Sequence, residues 1–267
     1  MTTTVEPRYW QPRLSTRWAG RPKALYAPIT DSTNLQLKVA ARRGAPHGTV
    51  ALCEAQTAGR GRMDRQWHSP QGKGLWVSLL ARPALKSQDA PLITFAAALA
   101  MCRAVEDAGF APRIKWPNDL VLEGKKICGI LLEMGLTSQG TLDFVIIGAG
   151  LNTAPGSYPA ELSHQAACLE EIGGHPVDRN ALLVSYLHHL EEALESLEKH
   201  GLPGIRPAYE RRQCTLGSEV QVSGGMDCRG TAIAIDDSGA LIVEESNGSQ
   251  HIVRAGDVSV RGIMGYV

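Results

Sequence analysis

The chain has 267 residues, with 27 basic side chains against 27 acidic ones, and at this length roughly three-quarters of the unfolded surface can be buried in one large domain or a medium and a small one. Apolar residues at 43% and a net charge of zero exclude a disordered charged chain and a nucleic-acid binder recognisable by bulk charge. The 28 Gly and 15 Pro argue for many turns and strands, and three Phe leave the core to Leu, Ile, Val and Ala. The cysteines at 53, 102, 128, 168, 214 and 228 form no CxxC pair and have no His at zinc-finger spacing. They read as reduced, buried small hydrophobes, which fits a cytoplasmic protein. The N-terminus has no apolar signal region, and the longest apolar run, Phe95 to Cys102, is far short of the roughly 20 residues that cross a bilayer.

In chain order, residues 1–30 mix Pro, Arg and Trp without a period and are expected to form an irregular arm. Asp31, Ser32, Thr33 and Asn34 offer capping side chains ahead of Leu35, Leu37, Val39 and Ala40, with Gly44 as the stop of a short helix. Gly48 to Ala55 and Leu75 to Ala81 read as strands joined by a polar connection rich in Gly and Arg. Leu92 to Ala108 is a small-residue helix. Asp119 to Leu122 and Ile127 to Met134 form a hairpin about Glu123-Gly124-Lys125, and Phe144 to Ile147 is a strand buried on both faces. Leucines at 183, 187, 190, 194 and 197 mark a helix from about Asn180 to His200, capped by Asp178 and stopped by Gly201. From Gly217 on, β-branched runs alternate with turns at Ser223-Gly224-Gly225, Asp236 to Gly239 and Asn247-Gly248, as in a small antiparallel barrel.

Four clusters could carry chemistry. Gly59-Arg60-Gly61-Arg62-Met63-Asp64-Arg65-Gln66-Trp67 is a cationic loop whose glycines allow close approach to an anion and whose arginines supply forked donors. It holds few apolar anchors before Trp67 and is expected to be mobile without ligand. Lys115-Trp116-Pro117-Asn118-Asp119 packs a cation, an amide and a carboxylate into five residues, although alone it would pass for a turn. Lys126 enters an apolar strand, which is costly unless its amine meets an anion. Gly148-Ala149-Gly150-Leu151-Asn152 ends a buried strand in glycines and an amide, too short for a dinucleotide fingerprint.

Taken in series, Asp31 to Asn34, Glu54 to Arg62, Lys115 to Asp119, Lys126 to Glu133 and Gly148 to Asn152 closely resemble the biotin protein ligase family. The resemblance implies an α+β fold: a class II synthetase-like mixed sheet with helices over residues 31–211, then an SH3-like barrel over 212–267. It implies ATP-dependent conversion of biotin to biotinyl-5'-AMP, and transfer of biotin to a lysine of a biotin carboxyl carrier domain. Carried over residue by residue, Ser32, Thr33, Asn34, Gln56, Gly59, Gly129 and Gly148 would line the biotin site. Arg60, Gly61 and Arg62 would close over carboxylate and phosphate, and Lys126 would reach both. Arg60, Arg62 and Lys126 would thus be catalytic. Arg65, Trp67, Lys115, Asn118 and Asn152 would serve ATP, with Asp119 the carboxylate nearest Mg2+.

Only about 30 residues precede Asp31, so the helix-turn-helix of bifunctional members, and with it DNA repression, is not expected; a homodimer is allowed. Two departures stand out. Met63-Asp64 replaces a further Gly and Arg of the loop, and His164 to Leu169 holds no Trp to stack on adenine. Lipoate ligases and octanoyltransferases share the fold, and a biotin sensor without turnover is the competitor from another class.

Overall fold

The computed structural model describes residues 4–223, 227–254 and 257–260. In chain order the elements are α1 (Pro7–Trp10), β1 (Leu25–Thr30), α2 (Thr33–Arg42), β2 (Val50–Gln56), β3 (Gly74–Ala81), α3 (Ile93–Asp107), β4 (Arg113–Lys115), β5 (Asp119–Leu122), β6 (Lys125–Leu136), β7 (Leu142–Asn152), α4 (Leu169–Gly173), α5 (Arg179–His200) and α6 (Arg206–Glu210), then β8 (Glu219–Ser223), β9 (Cys228–Ile235), β10 (Leu241–Glu244), β11 (Gln250–Val253) and β12 (Asp257–Val260). Seven strands make one mixed sheet in the order β1-β2-β3-β7-β6-β5-β4. Only β1 runs parallel to its neighbour. The last five strands form an antiparallel sheet in the order β11-β10-β9-β8-β12.

The two faces of the large sheet are covered unequally. On one side α2 rests on a small cluster of Leu37, Ala41, Ala51, Leu80, Phe144 and Ile146. On the other, α3 and α5 pack on the main core, to which β7 contributes Val145, Ile147, Ala149 and Leu151. The alternation along β7 follows the two-residue period of a strand. α5 begins at the expected cap: Asp178 Oδ1 accepts from the N–H groups of Asn180 and Ala181 at 2.9 and 3.1 Å. The β5–β6 hairpin turns through Glu123 (φ 51°) and Gly124 (φ 75°), two successive left-handed residues that suit the twist of the strands they join.

The irregular N-terminal arm is corrected. Residues 25–30 form edge strand β1, and Pro28 is tolerated there because an edge strand can spare one N–H. Val5, Trp10 and Leu14 are buried in the main core. Glu191 of α5 accepts from the backbone N–H groups of Arg17, Trp18 and Ala19 at 2.7–2.9 Å, tying the segment down. Leu35 and Val39, expected to help bury the first helix, are exposed, and Leu37 and Ala41 face inward instead. The C-terminal sheet is joined to the large one through Trp116, whose N–H reaches Thr215 Oγ1 at 2.9 Å and whose indole reaches Gly239 O at 3.1 Å. The turn expected at Ser223-Gly224-Gly225 lies in part outside the described residues. All six cysteines are free, and five are buried. No helix among the described residues is long and apolar enough to cross a membrane.

Candidate active site

The site begins where β7 stops presenting large side chains to the α2 side. After Phe144 and Ile146 come Gly148 and Gly150, and on neighbouring β6 comes Gly129, its register partner. A Cβ at Gly148 would lie 2.2 Å from Asn34 Oδ1, and one at Gly150 would lie 2.3 Å from Trp67 Nε1. A Cβ at Gly129 would press the Trp67 ring at 3.1 Å. Glycine is therefore required for Asn34 and Trp67 to lie against the sheet, because any side chain would occupy their places.

Two hydrogen-bonded networks stand on this floor. The first is built on uncharged side chains and ends on a carboxylate. Ser32 starts α2 in an extended conformation, which turns Thr33 and Asn34 onto the sheet. Gln56 Oε1 accepts from Thr33 N at 3.0 Å, while Gln56 Nε2 donates to Ser69 Oγ at 2.8 Å. Ser78 Oγ lies 2.7 Å from Thr33 Oγ1 and donates to Asn34 Oδ1 at 2.6 Å. Asn34 Nδ2 in turn donates to Glu133 at 3.0 Å, and this carboxylate also receives Lys38 at 3.2 Å and Arg60 at 3.3 Å.

The second network is charged. Lys126 Nζ lies 2.7 Å from Asp119 Oδ1 and 5.3 Å from the Trp67 ring centroid. Asn118 donates to the same Asp119 oxygen at 3.2 Å and to Ile130 O at 3.0 Å, and its own Oδ1 accepts from Arg62 at 2.8 Å. Lys115 is the register partner of Asp119 across the β4–β5 pair. The anion that the strand lysine needs is thus supplied by Asp119, two residues after a cis Trp116–Pro117 bond. One carboxylate oxygen already engaged by lysine, beside further cations, is a poor resident site for a divalent metal. It does suit a magnesium ion arriving on phosphate oxygens, which needs only one or two protein carboxylates.

The cationic loop is a small hairpin. Gly61 N–H donates to Arg65 O at 2.7 Å and Trp67 N–H to Gly59 O at 2.9 Å. Met63 sits at the tip with φ 54° and ψ 41°, a left-handed conformation costing a non-glycine residue about 1–2 kcal/mol. Exposure of half its surface leaves its side chain without compensating burial.

The networks enclose one cavity of about 520 Å3. Of the residues singled out from the sequence, Ser32, Thr33, Asn34, Gln56, Arg60, Gly61, Arg62, Arg65, Trp67, Lys115, Asn118, Asp119, Lys126, Gly129, Gly148 and Asn152 all border it. Gly59 does not; it is buried at the base of the loop, where a Cβ would strike Trp67 O at 2.3 Å. Sequence reasoning singled out His164 to Leu169 only for lacking a stacking Trp and missed the rest of the far wall. Ser157, Tyr158, Leu162, Gln165 and Ala166 line the cavity, as does Val258 from the C-terminal sheet.

This wall is fastened beside Lys126. Lys126 N–H donates to Gln165 O at 2.8 Å, Ala167 N–H to Lys126 O at 3.0 Å, and Asn152 Nδ2 to Ala167 O at 3.2 Å. Burial, followed by the Glu171 carboxylate that accepts its hydroxyl at 2.6 Å, holds the Tyr158 phenol well above its ordinary range. Two buried polar atoms at the cavity, Trp67 Nε1 and Ser157 Oγ, have no hydrogen-bond partner. Such groups are costly unless a ligand or water satisfies them. Their signal in the sequence was weak, since Ser157-Tyr158 resembles any loop following a strand.

Residues 26–152 match the Biotin/lipoate A/B protein ligase family, and residues 215–261 match the biotin protein ligase C terminal domain. Over 237 residues the chain is 35% identical to a bifunctional ligase/repressor BirA of Bacillus subtilis (strain 168), spanning 86% of this chain and 72% of that one. The chain belongs to the biotin protein ligase family. A biotin--[acetyl-CoA-carboxylase] ligase of Paracoccus denitrificans is 35% identical over 240 residues, 85% of this chain and 96% of its own. Among solved structures, the biotin protein ligase from Aquifex aeolicus in complex with biotin and ATP superposes with a TM-score of 0.77 at 26% identity, covering 90% of this chain and 99% of that one. The expected mixed sheet with helices, followed by a small β-domain, is the architecture of this biotin protein ligase too.

Proposed function

We propose that this biotin protein ligase joins biotin to ATP in the glycine-floored cavity and passes the biotinyl group to a lysine of a carboxylase carrier domain. The single observation that carries the reading is the pairing of two networks around one cavity. A neutral set of hydroxyls and amides (Ser32, Thr33, Asn34, Gln56) suits an uncharged ureido head, and a cationic set (Arg60, Arg62, Lys115, Lys126) suits a carboxylate and phosphates. Family membership and the biotin and ATP held by the Aquifex relative support it.

In the first step a biotin carboxylate oxygen attacks the α-phosphorus, a P–O bond forms, and pyrophosphate leaves with the electrons of the bond that breaks. Both reactants are anions, so the contribution of the chain is positioning and cationic stabilisation of spreading charge. Lys126 is assigned to the meeting point, where its ammonium exchanges the Asp119 carboxylate for the oxygens of biotin and the α-phosphate. Arg62 closes the loop over the adenylate, and Arg65, Trp67, Lys115, Asn118 and Asn152 serve the nucleotide. Magnesium, when bound, would screen triphosphate charge, with Asp119 its protein carboxylate. In the second step the carrier lysine amine attacks the acyl carbon, a C–N bond forms, the acyl C–O bond breaks with its electrons going to AMP, and the amine proton passes to solvent.

The acceptor is a biotin carboxyl carrier domain, the site of action is the cytoplasm, and the reaction needs neither DNA nor a membrane. A homodimer would show as a doubled mass in light scattering. Biotin-dependent exchange of pyrophosphate into ATP tests the reading. Exchange with biotin and not with lipoate is expected; exchange driven by lipoate, or none, would overturn it.

A further inference from the structure

We propose that His188, His189 and Glu192 form a second site, for a divalent metal of the zinc class, on the helical layer behind the sheet. Among the described residues this is the one group of three His, Cys, Asp or Glu side chains whose ligand atoms converge, all lying within 4.8 Å of one another. His188 Nε2 is 3.3 Å from Glu192 Oε1, and His189 Nδ1 is 3.5 Å from Glu192 Oε2. Tetrahedral zinc with bonds of about 2.0–2.1 Å holds its ligand atoms about 3.3 Å apart; His188 Nε2 and Glu192 Oε1 already stand at that separation, and the three ligand atoms need close only from within 4.8 Å.

The surroundings favour a metal over a simple ion pair. His189 Nε2 lies 2.8 Å from Asp107 Oδ2, a carboxylate oxygen also held by Ser185 Oγ at 2.6 Å. A proton on Nε2, donated to Asp107, leaves the Nδ1 lone pair facing Glu192 and His188. Carboxylate, imidazole and metal in series are the usual way a ligating histidine is oriented. Arg103 contacts Glu192 Oε2 at 3.0 Å, which leaves Oε1, the oxygen nearer His188, for the ion. Two nitrogens and one oxygen select zinc, cobalt or nickel over the hard cations magnesium and calcium. Half-exposed His188 and Glu192 give entry, and His189, buried, anchors the site.

α3 carries Arg103 and Asp107, while α5 carries the ligands, so the ion would brace the two helices that cover the main core. It would sit across the sheet from the cavity and take no part in the transfer of biotin.

The experiment uses the full chain without an affinity tag, stripped with chelator and titrated with Co2+, whose four-coordinate complexes absorb in the visible. The wild type should bind one equivalent and melt a few degrees higher with metal. His188→Gln and Glu192→Gln should each weaken binding at least tenfold, and Asp107→Asn about tenfold, as loss of an outer partner does. Both ligand variants alter exposed side chains, so they retain the fold. Absence of saturable Co2+ bands in the wild type at micromolar metal, or equal affinity in His188→Gln and wild type, would overturn the proposal.

Discussion

The two faces of β7 carry different work on one backbone. Toward α3 and α5 the strand offers Val145, Ile147, Ala149 and Leu151, apolar from end to end and buried. Toward α2 it offers Phe144 and Ile146 and then Gly148, Gly150 and Asn152, so the apolar face stops halfway and becomes the floor of a cavity. The first face holds the fold together. The second spends half its length on residues that bury almost nothing, and places Asn34 and Trp67 where side chains would otherwise stand. Substitutions on alternate residues should therefore separate stability from binding.

The largest effect is expected at the charged end of the cavity. Lys126→Met keeps the stem and removes the ammonium, and loss of one preorganised cationic donor costs about 10²–10³ in rate, or roughly 3–4 kcal/mol. Pyrophosphate exchange should fall by that factor while transfer from supplied biotinyl-adenylate survives. Near-normal exchange would remove Lys126 from the mechanism. Next comes the structural face. Ile147→Ala should cost about 2–5 kcal/mol of unfolding free energy and leave biotin affinity unchanged in calorimetry.

Gly148→Ala should do the reverse. Its methyl group displaces Asn34 and breaks up the binding network, so biotin affinity should fall while the melting temperature falls less than in Ile147→Ala, the stranded polar partners costing about 1–3 kcal/mol. If Gly148→Ala unfolds the chain and Ile147→Ala abolishes binding, the division between the faces is wrong.

The smallest effect tests His47, whose ring lies 4.0 Å from that of Trp18 in the N-terminal segment. Burial pushes the His47 imidazole below its ordinary value, and Nδ1 accepts the Arg82 N–H at 2.9 Å in the neutral form. The unfolded chain takes up its proton near the ordinary value of about 6.5, and the native chain only at lower pH. Stability contributed by this group is therefore complete above that value and declines as pH falls toward the depressed native one. His47→Asn keeps an acceptor and should flatten this part of a melting-temperature profile.

Much of this division was legible in the sequence. The leucine spacing placed α5 to within a residue, Asp178 marked its cap, and the order of the motifs gathered the cavity residues before any contact was known. What escaped depends on distant partners. β1 was hidden because an edge strand with Leu25 and Ile29 exposed shows no clean alternation. The N-terminal segment was hidden because the group that holds it, Glu191, lies more than 170 residues away. Glu133 gave no sign of gathering Asn34, Lys38 and Arg60, since a glutamate on a strand otherwise marks a solvent-facing position. The loop from Gly59 to Trp67 looked unstructured because backbone pairing between Gly61 and Arg65 leaves no trace in composition.

The placement of Trp67 has an optical consequence. Its indole lies over two glycines with a lysine ammonium at the ring face, whereas Trp10 and Trp76 are sealed in the interior. Any molecule that fills the cavity, draws off Lys126 or bonds to the idle Nε1 alters the electric field across this chromophore, and less directly across Trp116, which also borders the cavity. Cavity occupancy should therefore register as a shift in intrinsic emission, much reduced in Trp67→Phe, giving a label-free titration signal from a reporter the chain already contains.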